Sequence, residues 1–457
     1  MMTTLRRGGL RSAETEREVQ IADDELLDKL QRAAFGYFQE TVNAGNGLVA
    51  DTTRDGSPCS IAVVGFALSC WLVAAERRWI THEEAAKLVL TTLRFFHNSP
   101  QDDTPVATGY KGFFYHFLDM QTGQRVWRSE LSMVDTAFLV AGMLSAATYF
   151  DRDKPDEAEI RRLAVALYSR IDWPWAQSHK RSVTHGWKPE YGFLHYGWYG
   201  YSEASILYVL GLASPTRPLP PNSYARWTST YQWENLYGQD FLYAGPLFIH
   251  QFAHVWIDFN GIRDQFMREK NSDYFENSRR ATLVQQQYAI RNPRSYVGYG
   301  ENCWGFSAGD GPETRAARVH GGDLRFSGYA ARGVPYGPDD GTISPPAILG
   351  SLPFAPDIAL PAIRHILASY PDIATEHRFP SGFNPTSTGA AGSSANPGGW
   401  VSKGYFGLDQ GLIVLMIENH RSQMLWKLMR TCPYIRTGLR RAGFRGGWVG
   451  RRSFLFH

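Results

Sequence analysis

The sequence predicts an all-α fold, an (α/α)6 toroid (six-hairpin barrel) with long irregular loops and at most a few short strands. Three observations predict it. Helical periodicity dominates the chain, about a dozen predicted helices are joined by alternately short and long loops, and strongly apolar helices occur beside amphipathic ones. The inner helices of a toroid are buried on all sides and should therefore be the more apolar. No simple repeat is visible, so the architecture is predicted from helix counting.

The helices can be placed in order from their start and stop signals. Thr81 precedes HEEAAKLVLTTLRFF, which carries acids in its first turn, and Asn98-Ser99-Pro100 ends that helix. This helix and PDEAEIRRLAVALYSR are predicted to be outer helices, whereas SIAVVGFALSCWLVAA, SMVDTAFLVAGMLSAA and GLDQGLIVLMIENH are predicted to be inner ones. The predicted ranges are 25–42, 60–78, 82–97, 131–150, 156–171, 203–212, 241–258, 270–290, 344–351, 355–369, 408–419 and 421–431. Short strands are predicted at 112–119 and 295–300.

Two segments have little helix signal. Residues 292–343 are rich in Gly, Pro, Asn and Asp, and a loop of that length in a compact domain is usually functional. Residues 384–400 are predicted to form a surface loop. The chain is predicted to divide into a flexible N-terminal segment (1–22), a single (α/α)6 catalytic domain (23–432) and a basic C-terminal tail (433–457).

The composition excludes several classes of protein. The 457 residues include 47 Lys and Arg against 44 Asp and Glu, and a net charge of +3 gives no argument for binding nucleic acid. No apolar run is long enough for membrane insertion. We expect a cytoplasmic protein as the sequence stands, or a periplasmic one if a leader peptide was removed. The four cysteines lack CxxC spacing, so we expect neither a disulfide framework nor a zinc site. No cofactor is expected. The oligomeric state is not indicated.

Aromatic residues are the distinctive feature of the composition. They make up 14% of the chain, and many lie in glycine-rich segments such as HYGWYGY, SYVGYGENCWGF and GGWVSKGYFG. Aromatic side chains in such loops often line a concave site, and sugar rings stack on their faces. The alternative, simple packing within the loops, stays open.

Carboxylates recur where the predicted inner helices begin. Glu130 and Asp135, Glu203, and Asp409 each stand just before or at the start of an apolar run. Because these helix ends open on one funnel in a toroid, the carboxylates are expected to converge. Paired carboxylates among aromatics can cleave a glycosidic bond, one protonating the leaving oxygen while the other activates water or attacks C1. A structural role stays open for each acid, since the helix dipole favours acids in a first turn by ~0.3–1 kcal/mol.

Other chemistries lack their motifs. GYGENCWGFSAGDG has neither a strand-GxGxxG-helix context nor a Walker lysine. The chain contains no HExxH zinc motif and no GxSxG nucleophile elbow.

Several strings resemble the glycoamylase-like domain of glycoside hydrolase family 144, whose studied members are endo-β-1,2-glucanases. They are YSEASILYVLGLASPT (201–216), GPLFIHQFAHVWIDF (245–259), YGENCWGFSAGDGP (299–312), DDGTISPPAILGSLPFAPD (339–357) and YFGLDQGLIVLMIENHRS (405–422). The resemblance covers roughly residues 25–430 in order. It implies an (α/α)6 barrel and a metal-free inverting mechanism, with Glu203 as proton donor and Asp409 as base. The substrate, and the expected partner, is then a β-glucan.

The chain departs from the family at one string. It has S-M-V-D-T (132–136) where these glucanases carry D-L-V-E-T, so Ser132 replaces an Asp and Asp135 a Glu. Asp135 is predicted to hold substrate or tune the catalytic pair, together with Glu130. A glucan transglycosylase and a non-catalytic glycan-binding protein remain alternatives. Further predicted substrate-binding residues are Trp127, Arg128, Tyr201, Trp304, Trp400, His116 and Asp340.

Overall fold

Helices connected by short strands form most of the structure. The computed structural model describes the backbone of residues 5–178, 182–319, 322–387 and 398–450, and the side chains of these ranges from residue 22 onward except 315–324. The helices are α1 Leu5–Thr41, α2 Ile61–Glu76, α3 His82–Asn98, α4 Met133–Tyr149, α5 Pro155–Ser169, α6 Trp173–Gln177, α7 Ser205–Ala213, α8 Ser223–Thr228, α9 Gln265–Glu269, α10 Tyr274–Arg291, α11 Pro345–Gly350, α12 Pro356–Ser369, α13 Gly407–Arg421, α14 Met424–Met429, α15 Pro433–Arg441 and α16 Gly447–Gly450. None of the helices in these ranges has the length and apolar character needed to cross a membrane.

The most apolar helices pack against one another. α2 contacts α4 and α13, α4 contacts α7, and α13 contacts α11. In α2, α4 and α7 nearly every side chain is buried, whereas α3 and α5 are buried along one face only. Two glycines allow α2 and α4 to approach closely, since a Cβ on Gly142 of α4 would lie 2.2 Å from the carbonyl oxygen of Gly65 on α2. The apolar and amphipathic helices predicted from the sequence therefore take different places in the packing.

Amphipathic helices lie outside this apolar set. α1 packs on α13, α3 on α5, α5 on α4, α12 on α11 and α15 on α7. Their boundaries follow the local signals, as in α3, where Thr81 and Glu84 form a capping box in which each side chain accepts a hydrogen bond from the other's backbone N–H.

Short antiparallel strands precede several apolar helices. The strands are β1 Cys59–Ser60, β2 Gly109–Tyr110, β3 Phe113–Tyr115, β4 Phe117–Leu118, β5 Leu131–Ser132, β6 Gly186–Lys188, β7 Gly192–Phe193, β8 Trp233–Leu236, β9 Gln239–Leu242, β10 Ala308–Gly309, β11 Arg315–Val319, β12 Gly322–Phe326, β13 Ala330–Ala331, β14 Phe383–Asn384 and β15 Trp400–Val401. β1 runs into α2 and pairs with β4, while β5 runs into α4 within a five-stranded sheet of order β2-β3-β5-β6-β7. These pairs fix where the helices begin.

The helix predicted at 241–258 is wrong. The segment contains the end of β9 and two 3-10 turns, Leu247–His250 and Phe252–Val255. Its backbone groups find tertiary partners, since Asn277 exchanges two hydrogen bonds with the backbone of Leu242 and Gln285 donates to the carbonyl of Gly245. An apolar run with such partners does not need a helical ladder. The strand predicted at 295–300 is also wrong, because only an isolated bridge at Gly300 forms there.

Helices lie near both ends of the chain. α1 begins at Leu5, inside the segment predicted to be flexible, of which residues 1–4 lie outside the described part of the chain. α15 lies within the predicted tail, yet its Ile435 and Leu439 are buried in the core, as are Phe444 and Val449. Packing therefore continues past residue 432. The division into domains stays a prediction.

Candidate active site

A pocket of about 490 Å³ lies where several apolar helices begin. This volume is within the ~300–1,000 Å³ usual for small-molecule sites. Its lining residues are Asp51, Ser60, His116, Phe117, Asp135, Phe138, Glu203, Phe248, Phe252, Ser307, Ala308, Gly309, Tyr329, Ser344, Ala347, Ser381, Phe406, Leu408, Asp409 and Leu412.

Each helix that reaches the pocket contributes a polar residue from its start. Ser60 immediately precedes α2, Asp135 lies in the first turn of α4, and Glu203 stands in a turn two residues before α7. Ser344 immediately precedes α11, and Asp409 lies in the first turn of α13. Asp135, Glu203 and Asp409, predicted from the sequence to converge, thus line the same pocket.

Glu203 is placed to hold a proton. Burial together with the charge of Asp135 raises the pKa of Glu203 to about 7, against the lowering effect of a hydrogen bond from its own backbone N–H. Because the helix proper begins at Ser205, Glu203 is not an ordinary first-turn acid. A carboxyl group with this pKa can act as a general acid near neutral pH.

Asp409 has a similar pKa for partly different reasons. Burial and the charges of Asp51 and Asp310 raise the pKa of Asp409 to about 7, although a hydrogen bond from Ser381 opposes them. Its Oδ2 is buried and makes no hydrogen bond within the described part of the chain. Asp409 itself is half-buried and lines the pocket, so its carboxylate is placed to accept a proton from a bound molecule.

Asp51 is a pocket carboxylate that the sequence analysis missed. It lies in the loop before β1, and its carbonyl oxygen accepts a hydrogen bond from Gly407 N at the start of α13. Burial and the charge of Asp135 raise the pKa of Asp51 to about 6, while His116 and Arg54 act in the opposite direction. Asp51 does not stand at a predicted helix start, and nothing in the VADTTRDG string itself marks it.

His116 lies between two carboxylates. Its Nδ1 is 2.9 Å from Glu130 Oε1, and its Nε2 is 3.5 Å from Asp135 Oδ2. The strands explain this arrangement, because β3 pairs with β5 so that His116 N donates to Glu130 O just before α4 begins. Burial alone would lower the pKa of His116, but Asp135 and Glu130 together raise it to about 9.

His116, Glu130 and Asp135 therefore form a cluster of one imidazolium and two carboxylates. Ligand atoms of its three members lie within 4.8 Å of one another, a spacing that could also suit a cation. A metal ion there would have to displace a proton from His116, because an imidazolium donates from both nitrogens. Burial raises and His116 lowers the pKa of Glu130, which falls to about 2. Glu130 is paired with His116 and is not among the lining residues of the pocket.

The predicted aromatic contacts are mostly not in the pocket. Trp127 and Arg128 are exposed, and Trp127 touches the pocket-lining Phe117 with ring centroids 5.1 Å apart. Trp400 is half-buried on β15, outside the pocket lining.

Two further aromatic candidates are buried. Tyr201 stacks on Tyr274 with ring centroids 5.6 Å apart, and Trp304 has no exposed surface at all. Trp304 therefore cannot offer a face to a sugar, and that prediction is wrong. The rings that do line the pocket are Phe117, Phe138, Phe248, Phe252, Tyr329 and Phe406.

Asp340 is also not a pocket residue. It is 4% exposed, and both its oxygens accept hydrogen bonds from Arg332, at 2.7 and 2.9 Å. Burial raises and Arg332 lowers the pKa of Asp340, and the net shift is downward. The prediction that Asp340 contacts substrate is wrong, because its carboxylate is fully engaged.

Two hydroxyls in the pocket lack partners. Within the described residues, the buried Oγ atoms of Ser60 and Ser344 make no hydrogen bond. A buried hydroxyl without a partner costs roughly 1–3 kcal/mol. The carboxylates and the aromatic walls of the pocket suit a ligand with many hydroxyls and apolar ring faces.

Two other concavities of similar volume have different chemistry. One is lined by Asn46, Arg94 and Phe95 and the other by Asp264, Glu269 and Arg441, among others. Asp264 already accepts hydrogen bonds from the hydroxyls of Tyr224 and Tyr274. Of these three sites, only the pocket at the helix starts joins several half-buried carboxylates to aromatic walls.

The family of the chain follows from a match over this region. The family model described as "Glycoamylase: Putative glucoamylase" matches residues 195–433, which include Glu203 and Asp409 and are 239 of the 457 residues. The chain belongs to the Glycoamylase family. The resemblance to a glycoamylase-like domain is thereby confirmed.

Relatives of known structure extend the likeness to nearly the whole chain. A putative glucoamylase from Bacteroides uniformis is 30% identical with a TM-score of 0.82, and the match covers 93% of this chain and 98% of that one. An endo-β-1,2-glucanase from Chitinophaga pinensis, in complex with sophorotriose and glucose, is 25% identical with a TM-score of 0.77, covering 93% and 99%.

One curated relative is an exo-acting enzyme. The exo β-1,2-glucooligosaccharide sophorohydrolase (non-reducing end) from Parabacteroides distasonis is 26% identical over 456 residues. The match covers 92% of this chain but only 58% of the length of that relative. This chain thus spans somewhat more than half of the relative it matches.

Proposed function

We propose that this member of the Glycoamylase family is a glycoside hydrolase that cleaves β-1,2-glucan by an inverting acid/base mechanism. The observation that carries the proposal is the pocket in which Glu203 and Asp409, both with pKa values raised to about 7, face aromatic walls. Glycosidic bond cleavage with inversion needs one protonated and one ionised carboxyl group flanking a sugar. The β-1,2-glucan-active relatives from Chitinophaga pinensis and Parabacteroides distasonis support the choice of substrate.

The reaction assigns one proton transfer to each carboxyl group. Protonated Glu203 gives its proton to the glycosidic oxygen as the bond from that oxygen to C1 breaks. Ionised Asp409 takes a proton from the attacking water, directly or through a substrate hydroxyl, and the new bond to C1 forms on the opposite face. Turnover leaves Glu203 ionised and Asp409 protonated, so exchange with solvent must restore both before the next cycle.

The helix packing also supports the toroidal fold. We infer an (α/α)6 toroid whose inner ring contains α2, α4, α7, α11 and α13, with the 247–255 segment in the remaining inner position. The contacts of this segment with α11 and α13 support that placement. The pocket then lies at the end of the ring where the inner helices begin, which explains why residues distant in sequence meet there.

A panel of linkage-defined glucans tests the proposed function. The protein is expected to release new reducing ends from β-1,2-glucan but not from β-1,3-, β-1,4- or α-1,4-glucans, with products resolved by chromatography. Longer or cyclic products with little new reducing sugar would instead identify a transglycosylase. Binding of β-1,2-glucan without any cleavage would identify a glycan-binding protein.

The pH profile is expected to separate the two catalytic roles. Since both pKa values are about 7, kcat/KM should have a narrow maximum near pH 7. Asp135→Asn removes a charge that raises the pKa of Glu203, so the alkaline limb should move to lower pH. Asp51→Asn removes a charge that raises the pKa of Asp409, so the acid limb should move to lower pH.

The control for these profiles is Asp240→Asn, which changes an aspartate outside the pocket lining. It should leave both limbs in place. If Asp135→Asn instead moved the acid limb and Asp51→Asn the alkaline one, the roles of Glu203 and Asp409 would be reversed.

Trp127 is expected to matter for long substrates only. It is 68% exposed and contacts Phe117 at the pocket wall, so its ring can stack on a sugar beyond the pocket. Trp127→Ala should raise KM for long β-1,2-glucans by about three- to tenfold and leave KM for the shortest cleaved oligosaccharide unchanged. Tyr191→Ala, another exposed aromatic, is the matched control. An equal rise for both chain lengths would contradict this role of Trp127.

A further inference from the structure

Tyr329 is a largely exposed aromatic residue at the pocket. It lines the pocket, yet 66% of the residue is exposed. Its nearest aromatic neighbour is the pocket-lining Phe406, with ring centroids 6.4 Å apart. Much of the residue is therefore free of protein contacts at the pocket.

The phenol of Tyr329 also lies close to the pocket acids. Although much of the residue is exposed, its phenol oxygen is surrounded by protein, and this burial raises its pKa, as do the charges of Asp409, Asp51, Asp135 and Glu203. A phenol in this setting keeps its proton and acts as a hydrogen-bond donor. The tyrosine thus joins an apolar ring to a donor above the carboxylates.

Hydrogen bonds from one buried arginine hold both sides of Tyr329. Arg332 donates to the carbonyls of Ser327 and Gly328, each at 3.0 Å, and to that of Ala330 at 3.5 Å. The backbone N–H of Ser327 donates to Asp340 Oδ2 at 2.9 Å, and Asp340 in turn pairs with Arg332. The two charged residues therefore fix the backbone before and after Tyr329.

The same guanidinium ties this loop to the pocket wall. Arg332 donates to the carbonyls of Gly309 and Asp310 at 3.0 and 3.2 Å, and Gly309 lines the pocket. The pairing of β10 with β13 joins the same two segments. Gly311 allows the guanidinium in, because a Cβ there would lie 1.9 Å from Arg332 Nη2.

These hydrogen bonds of Arg332 and Asp340 can hold Tyr329 in place. A buried ion pair gains little stability once the cost of removing both charges from water is counted, so it is weak evidence of a purely stabilising role. Holding a loop rigid before binding reduces the ordering cost that would otherwise weaken affinity. Arg332 and Asp340 make hydrogen bonds with backbone groups on both sides of Tyr329, whose side chain is exposed.

We propose that Tyr329 is a substrate-contacting residue that packs over the sugar bound above the pocket carboxylates, and that Arg332 and Asp340 are positioning residues that hold it there. The inference rests on the proposed function for the identity of the sugar, a glucose unit of β-1,2-glucan. It assigns to Tyr329 a share of substrate affinity that neither Glu203 nor Asp409 supplies.

Substitution of the tyrosine tests the contact. Tyr329→Ala should raise KM for a β-1,2-glucooligosaccharide about ten- to a hundredfold, whereas Tyr329→Phe, which keeps the ring, should raise it less. Both variants should melt with the wild type, because the side chain is mostly exposed. A KM for Tyr329→Ala within twofold of the wild-type value would overturn the contact.

Asp340→Asn tests the positioning role. It should raise KM with a smaller change in kcat, and it should add little to the KM of Tyr329→Ala, because a residue that acts through Tyr329 has no effect once that ring is gone. If Asp340→Asn does not fold, Arg332→Lys gives the same comparison, since lysine lacks the planar fork. Additive effects of the two substitutions on KM would overturn the positioning role.

Glu418→Gln is the matched control. Glu418 forms a buried ion pair with Arg77 at 2.8 Å, at the opposite end of α13 from Asp409. Its loss should lower the melting temperature and leave KM unchanged.

Binding separates failure of this inference from failure of the proposed function. Calorimetric titration of the same oligosaccharide into wild type and Tyr329→Ala measures the contact even if no bond is cleaved. Binding without cleavage, weakened in Tyr329→Ala, would overturn the hydrolase and support the contact. Cleavage that is unaffected by Tyr329→Ala would support the hydrolase and overturn the contact.

Discussion

Glu203→Gln is expected to lower kcat on β-1,2-glucan by about 10²–10⁴-fold, the usual contribution of a general acid. Glutamine preserves the shape of the side chain but cannot give a proton to the glycosidic oxygen. The loss should depend on the leaving group. An aryl β-glucooligosaccharide with a nitrophenolate leaving group needs no protonation, so Glu203→Gln should cleave it at a rate close to that of the wild type. Steady-state kinetics on both substrates measure the difference.

The same substitution should stabilise the protein at alkaline pH. The pKa of Glu203 is raised from 4.5 to about 7, so the folded state favours the protonated form. The stability linked to this proton is fully present below the unfolded pKa and is lost as the pH rises through about 7. Glutamine cannot ionise, so Glu203→Gln should be more stable than the wild type by roughly 1–3 kcal/mol near pH 9. At about pH 4, where the wild-type carboxyl is protonated in both states, the two should melt together. Equal stability at both pH values would contradict the raised pKa.

Asp409→Asn is expected to lower kcat by a similar factor, about 10²–10⁴, on natural and aryl substrates alike. Its carboxylate activates the nucleophile, and a better leaving group does not replace that step. Asp409 lines the pocket, and its carboxylate is the group we expect to accept the proton. Near-normal cleavage of the aryl substrate by Asp409→Asn would show that Asp409 is not the base.

Ser381→Ala is a useful companion to Asp409→Asn. Ser381 donates a hydrogen bond that lowers the pKa of Asp409, so its removal should raise that pKa. The acid limb of the pH profile should then move to higher pH, opposite to the shift expected for Asp51→Asn.

Much of the helical framework could be predicted from local signals. α2, α4 and α13 are apolar on nearly all sides and begin at recognisable junctions, so their periodicity was sufficient. The segment after β9 could not be predicted in the same way. Its helix-like apolar run is overridden by hydrogen bonds to Asn277 and Gln285, which come from α10 and are invisible to a local pattern.

Only those residues of the candidate site that lie near helix starts could be predicted from the sequence. Asp135 and Asp409 lie in first turns and Glu203 just before one, so a shared position along their helices brought them together. Asp51 and Tyr329 lie in loops, where the position of a side chain depends on partners such as the Arg332 network.

Aromatic and acidic loop residues were misjudged for the same reason. Trp304 and Asp340 occur in glycine-rich strings like those of pocket residues, but one lies in the core and the other in an ion pair. Composition indicates that a segment is irregular, and it does not indicate which way each side chain points.

The configuration of the first product tests the central claim most directly. Proton NMR spectra recorded within the first minutes of β-1,2-glucan hydrolysis distinguish α from β reducing ends before mutarotation mixes them. A single displacement between Glu203 and Asp409 predicts that the new reducing end appears first as the α anomer. A β anomer appearing first would require a covalent intermediate and would contradict the roles assigned to both carboxyl groups.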